Sequence, residues 1–148
     1  MNDLEISVAV RETLDSQLFG VLATTGNEGV HTTIVAFATA DDFRSILFAT
    51  PAETRKLANM TSQDRVSLLV DDRKNDPDSI MQIHGVEARG RATVLSEEER
   101  QVYEPIYLAK HEILSRFLSG SILVRIVVDA YDVVHRFQNV IALSPEQL

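Results

Sequence analysis

The chain has 148 residues, the size of one domain and long enough to bury a core. Hydrophobic residues make up 45% and charged residues 24%, a globular rather than a disordered composition, and the formal charge of −8 sets the chain as a whole against nucleic acid and anionic membranes. There is no cysteine, which excludes disulfides, thiolate chemistry, Cys-ligated zinc and iron–sulfur clusters together.

The opening stretch MNDLEISVAV has no basic segment followed by an apolar one, and no apolar run reaches spanning length. The expected location is therefore the cytoplasm, with no membrane partner. Residues 3–17 carry Leu4, Ile6, Val8, Val10 and Leu14 with charges between them, Leu18 follows, and the pattern predicts an amphipathic helix. FGVLATT at 19–25 and VHTTIVAFA at 30–38 flank the turn GNEG and predict a β-hairpin. A turn over 41–45 and a third strand over 46–49 follow.

A helix is expected next. Thr50 suits the N-cap, Pro51 the first helical position, and Glu53 completes a T-x-x-E capping box. RVSLLVD at 65–71 predicts a fourth strand, and the polar stretch 71–79 around Pro77 a loop. Residues 80–95 predict one long strand, or two joined at a glycine bulge, because Gly85 and Gly90 interrupt the pattern. Ser96 and Glu99 form a second capping box, opening a helical segment to Leu118 in which Pro105 is expected to start a second piece. SILVRIVVD at 121–129 and VVHRFQNVIAL at 133–143 supply the last two strands. Six or seven strands with inserted helices predict a mainly β, antiparallel barrel in a single domain over 1–148.

Most site signatures are absent: there is no P-loop, no G-x-G-x-x-G after a strand and no G-x-S-x-G elbow. His31, His84, His111 and His135 are scattered without metal-ligand spacing, so surface or hydrogen-bonded roles and no metal are expected. The acidic pairs at 41–42, 71–72 and 97–99 fall in turns and helix starts, where capping explains them. Tyr103 and Tyr107 share a helical face and read as core.

The stretch FATPAETRK at 48–56 is different. A strand delivers the chain to a helix start, where free N–H groups and the helix dipole favour an anion. Thr50 and Thr54 add hydroxyls, Arg55 a fork matched to phosphate oxygens, and Lys56 a point charge. The plainer reading is a capped helix with a Glu53–Lys56 pair, and Glu53 would repel a phosphate. On local physics the two readings stand level.

Spacing separates them. An aromatic and a Thr, a short turn, Thr54-Arg55-Lys56, and then Arg65-Val66-Ser67-Leu68-Leu69 resemble the flavin-binding split-barrel family of pyridoxamine 5'-phosphate oxidase. The hairpin LATT-GNEG-VHTTIVAF and the G-x-x-x-x-G-R-A strand at 85–92 resemble the same family, over about residues 18–95. The resemblance implies an antiparallel split β-barrel and a homodimer with FMN at the subunit interface. It implies that Arg55 and Lys56 hold the phosphate, with Thr50 and Thr54 as donors. The backbone and side chains of Thr32, Thr33, Ile34 and Val35 would run beside the ring, with Ala49 near it. A glutamine of the family falls at Ile80 here, and Gln82, two residues on along the expected strand, would substitute. The partner subunit is expected to contribute around Arg136 to Gln138.

True pyridoxamine phosphate oxidases carry a tryptophan and an Arg-Leu-x-Pro terminus; this chain has no tryptophan and ends NVIALSPEQL. Oxidation of pyridoxamine phosphate is therefore not expected. The expected function is an FMN-dependent oxidoreductase acting on a small-molecule substrate or electron donor. The alternatives are a module that binds haem or flavin without turnover, with His84, His111 or His135 as axial ligand, and a deazaflavin-dependent reductase of the same fold.

Overall fold

In the computed structural model, which describes residues 2–136 and 139–148, the first strands close on the last. β1 (Phe19–Gly26) and β2 (Gly29–Ala40) form the expected hairpin, and β3 (Ser45–Thr50) pairs antiparallel with β2. On its other side β1 pairs with β4 (Arg65–Asp71), which leads to β5 (His84–Val94) and β6 (Ile122–His135). β6 then returns to β3, from Ser45↔Val127 to Thr50↔Ile122, and closes a six-stranded antiparallel barrel. β7 (Asn139–Leu143) adds to the free end of β6 as an extra strand. The mainly β barrel with inserted helices is the architecture that the sequence predicts.

Period-2 alternation explains the interior. In β4, Val66, Leu68 and Val70 face inward; they meet Leu22, Phe37, Phe48, Val86 and Ile126 in one buried cluster. α1 (Asp3–Ser16) packs against this cluster through Ile6, Val10 and Leu14, four residues apart on one face, and leaves Leu4 at 70% exposure. Its start is fixed by a capping box between Asn2 and Glu5. A second cluster lies outside the barrel, where Leu47 and Leu123 meet Leu95, Tyr107 and Leu118. Strand β3 is thus covered on both faces, which is why its middle residues, Ile46 to Ala49, are all apolar.

Three expectations change. Residues 80–82 do not belong to a strand: Pro77 at the start and the Asp76 carboxylate accepting from the Asp78 N–H at 3.1 Å wind Pro77–Gln82 into a 3₁₀ turn. The last two strands divide at Arg136 rather than near 130, because Tyr131 is buried and its hydroxyl donates to the Phe43 carbonyl at 2.6 Å, holding the segment in β6. Pro105 sits inside α3 (Glu97–Lys110), whose Ser96–Glu99 capping box forms as expected. The carbonyl that Pro105 leaves without a donor belongs to Gln101, on an exposed face open to water. The helical segment breaks after Lys110 instead, and continues as a 3₁₀ turn at Glu112–Leu114 and α4 (Ser115–Leu118). Among the described residues no helix is long and apolar enough to cross a membrane.

Gly90 sits where the β5–β6 register shifts, the bulge that its position predicts. A Cβ there would lie 2.1 Å from the Val127 carbonyl oxygen, while one on Gly85 would lie 3.8 Å from its nearest neighbour, Val134 Cβ. Gly90→Ala is expected to cost about 2 kcal/mol of stability and Gly85→Ala less than about 0.5 kcal/mol. Urea unfolding of the two variants checks this; equal losses would contradict the bulge assignment.

Candidate functional site

The corner at 48–56 forms, with its helix four residues later than the sequence suggests. Thr50 is not an N-cap: it is the last residue of β3, paired with Ile122 and 1% exposed. Its hydroxyl donates to the Pro51 carbonyl (3.2 Å) and meets the Thr54 hydroxyl at 3.0 Å. Thr54 takes the capping role, its Oγ1 accepting from the Leu57 N–H at 3.4 Å, and α2 runs Arg55–Ser62. Either threonine suits a cap, and sheet pairing claims the first of them.

The shift changes the electrostatics. Glu53 now precedes the cap on an exposed bend, and the first turn of α2 carries no acidic residue. Arg55 and Lys56 occupy that turn instead. Among the described residues no ion pair joins either of them to a carboxylate, so the Glu53–Lys56 pair of the plainer reading does not form. Lys56 is half-buried, and burial pushes its ammonium below the ordinary lysine value.

The two cations open into different clefts, as neighbours about 100° apart on a helix must. Lys56 lines a cleft of about 290 Å³ with Ile34, Val35 and Ala36 of β2 and Ala49 of β3. Its other wall is apolar: Leu114, Phe117 and Leu118 from the segment after α3. Tyr107 also faces it, but its hydroxyl donates to the Ala36 carbonyl at 3.0 Å and burial pushes its pKa up to about 12, so it is a fixed neutral wall. Arg55 lines a more polar cleft of about 430 Å³ with the hairpin turn, His31 and Asn59. The Lys56 cleft sets one cation against an apolar slot, and the Arg55 cleft on the neighbouring face of α2 is more polar.

Of the residues expected at the site, Ile34, Val35, Ala49 and Lys56 gather at one cleft and Arg55 at its neighbour. Thr54 caps α2 and lines neither cleft. Thr50 is beside them but buried, and Thr32 and Thr33 lie on β2 outside both clefts. Gln82 is a correction: it lies in the 3₁₀ turn before β5, not on a strand face two residues from Ile80. Of the segment around Arg136, Phe137 and Gln138 lie outside the described residues. The wall of Leu114, Phe117 and Leu118 was not foreseen. In the structure Phe117 of this wall is 70% exposed, and nearby Ile113 is 87% exposed.

A family model described as pyridoxamine 5'-phosphate oxidase matches residues 6–134. The chain belongs to that family. No curated protein matches the sequence. Among solved structures, a protein from Clostridium acetobutylicum related to general stress protein 26, of the pyridoxinephosphate oxidase family, superposes with a TM-score of 0.75 at 14% identity, over all of both chains. A heme binding protein from Mycobacterium smegmatis gives a TM-score of 0.80 at 14% identity, over 99% of this chain but 60% of that one. A FAD-binding protein from Mesorhizobium loti gives 0.69 at 15%, over 86% and 90%. At these identities the likeness shows the fold alone, and the barrel is the split barrel of the pyridoxamine 5'-phosphate oxidase family.

Desolvation favours the neutral Lys56 amine, and a bound anion favours the ammonium, so anion affinity falls as pH rises through the Lys56 pKa. After reductive ¹³C-methylation, with resonances assigned by Lys→Arg substitution, Lys56 is expected to titrate below the ordinary lysine range and to move upward when inorganic phosphate is added. A Lys56 resonance that titrates normally and ignores phosphate would contradict the anion corner.

Proposed function

We propose that the protein is an FMN-binding, flavin-dependent oxidoreductase that works as a homodimer on a small-molecule substrate or electron donor. The observation that carries this reading is the half-buried Lys56 beside Arg55, with no carboxylate partner, at a helix start that opens onto an apolar slot. The protein carries a net charge of −8, yet no carboxylate lines the Lys56 cleft, and Glu28, which lines the Arg55 cleft, makes no ion pair with Arg55 among the described residues. Arg55, Lys56, the Thr54 hydroxyl and the free N–H groups of α2 are the donor set for a phosphate. Thr50 contributes by fixing Thr54 through the hydroxyl contact between them. The slot between Ile34, Val35, Ala49 and the Phe117 wall has the apolar character that a flavin ring needs. When bound, the flavin supplies the hydride and electron chemistry; the protein binds, orients and keeps water away.

The outer face of the hairpin supports a second copy as partner. Val21 stands directly between Ile34 of β2 and Leu69 of β4, and Phe19 continues the row, with Ile34 at 70% and Phe19 at 59% exposure. Ile34 belongs both to this face and to the Lys56 cleft, so a copy seated there would complete the slot. Haem fits less well. His111 is buried with Nε2 2.6 Å from the Phe37 carbonyl, His84 holds Asp72 at 2.8 Å, His135 is buried, and none of the three lines the Lys56 cleft.

Purified protein is expected to be yellow, or to become so on addition of FMN. Arg55→Ala with Lys56→Ala is expected to weaken FMN binding by on the order of a hundredfold while leaving the circular dichroism unchanged. Protein that stays colourless and binds no added FMN would overturn the reading, and mass spectrometry of a co-purified ligand separates FMN from a deazaflavin.

A further inference from the structure

Helix α2 is lightly seated. It has eight residues, of which only Met60 is fully buried, with Leu57 partly buried against the core. Its cap is a long hydrogen bond of 3.4 Å. What ties its outer side to the barrel is a polar pin: Asn59 Nδ2 donates to Thr24 Oγ1 at 3.0 Å, and Thr24 is 1% exposed in β1. Asn59 lies one turn beyond Arg55 on the same helix face, and the two line the same cleft.

The pin explains a glycine that the backbone does not. Gly26 ends β1 without the positive φ of Gly29, so its conformation is open to any residue. A Cβ built on Gly26, however, would stand 2.0 Å from Asn59 Oδ1. With any side chain at position 26, Asn59 would have to shift from the place in which it reaches Thr24.

We propose that Asn59 is a positioning residue for the anion corner, holding α2 against the hairpin at the angle that sets its first turn, with Arg55 on the cleft Asn59 itself lines and Lys56 on the next, and that Gly26 is the space it needs. The proposal rests on the reading that this corner takes a phosphate. A side chain at position 26 expels Asn59 from its place, releases the Thr24 contact and lets the first turn of α2 swing.

The test is a double-mutant cycle on the full chain, with FMN and riboflavin affinities and the unfolding midpoint measured for wild type, Asn59→Ala, Gly26→Ala and the double variant. Each single change is expected to weaken FMN binding about tenfold and to leave riboflavin binding as in wild type. The double variant is expected to be no weaker than Asn59→Ala, since nothing then remains for the new methyl group to displace. If Asn59→Ala does not fold, Thr24→Val removes the acceptor at nearly constant shape and is expected to give the same FMN loss. Folded variants whose FMN affinity equals wild type, whatever their stability, overturn the positioning role alone, and so do single losses that add in the double variant. Wild-type protein that binds no FMN overturns the phosphate reading and this proposal together.

Discussion

The antiparallel pairing of β3 with β6 is the contact on which the rest of the molecule depends. It closes the barrel, and it does so through Thr50, the last residue of β3, opposite Ile122. Because Thr50 is held in the sheet, the chain leaves the barrel at Pro51 and cannot become helical until Thr54 caps α2. That delay of four residues moves Glu53 out of the first turn and Arg55 and Lys56 into it. The same pairing fixes Ala49 beside the Lys56 cleft, and it covers β3 on both faces so that this edge of the site does not shift. A feature of the sheet therefore decides the charge of a helix end.

The physical tension at the site is a cation held partly out of water without a counter-charge. Partial burial disfavours the charged form of Lys56, and among the described residues no ion pair offsets it. The ion pairs among the described residues lie elsewhere, on Arg44, Arg73, His84, Arg89, Arg91 and Arg100. A ligand that brings its own negative charge removes the penalty on binding, so the unfavourable term in the free protein becomes part of the affinity. This is the electrostatic logic of a preorganised anion site, and it requires the helix to be aimed as well as charged.

Much of the barrel was legible in the sequence because its strands alternate strictly or are bounded by glycine-bearing turns. The bounds of β4 at Arg65 and Asp71, the hairpin and the Ser96–Glu99 cap all follow from local pattern. What misled was local signal overruled by tertiary contact. Thr50 looks like an N-cap until β6 pairs with it, and residues 130–132 fall between two expected strands until Tyr131 enters the core. Gln82 looks like part of a strand because Ile80, Met81 and Ile83 are apolar, although Pro77 and Asp76 wind that stretch into a turn. Of the residues that the family spacing points to, Lys56, Ile34, Val35 and Ala49 line one cleft and Arg55 its neighbour. The Phe117 wall and the Asn59 pin were not legible, since each depends on residues far apart in sequence that meet only in the closed barrel.

The central claim is that the charge at the start of α2 recognises a phosphate, separately from the slot that accepts an apolar ring. Riboflavin and FMN differ only in that phosphate, so calorimetric titration of both into the wild-type protein isolates the term directly. The account predicts that FMN binds tighter than riboflavin by on the order of a hundredfold, and that the gap narrows as salt is raised. Equal affinities for the two at low salt would contradict it.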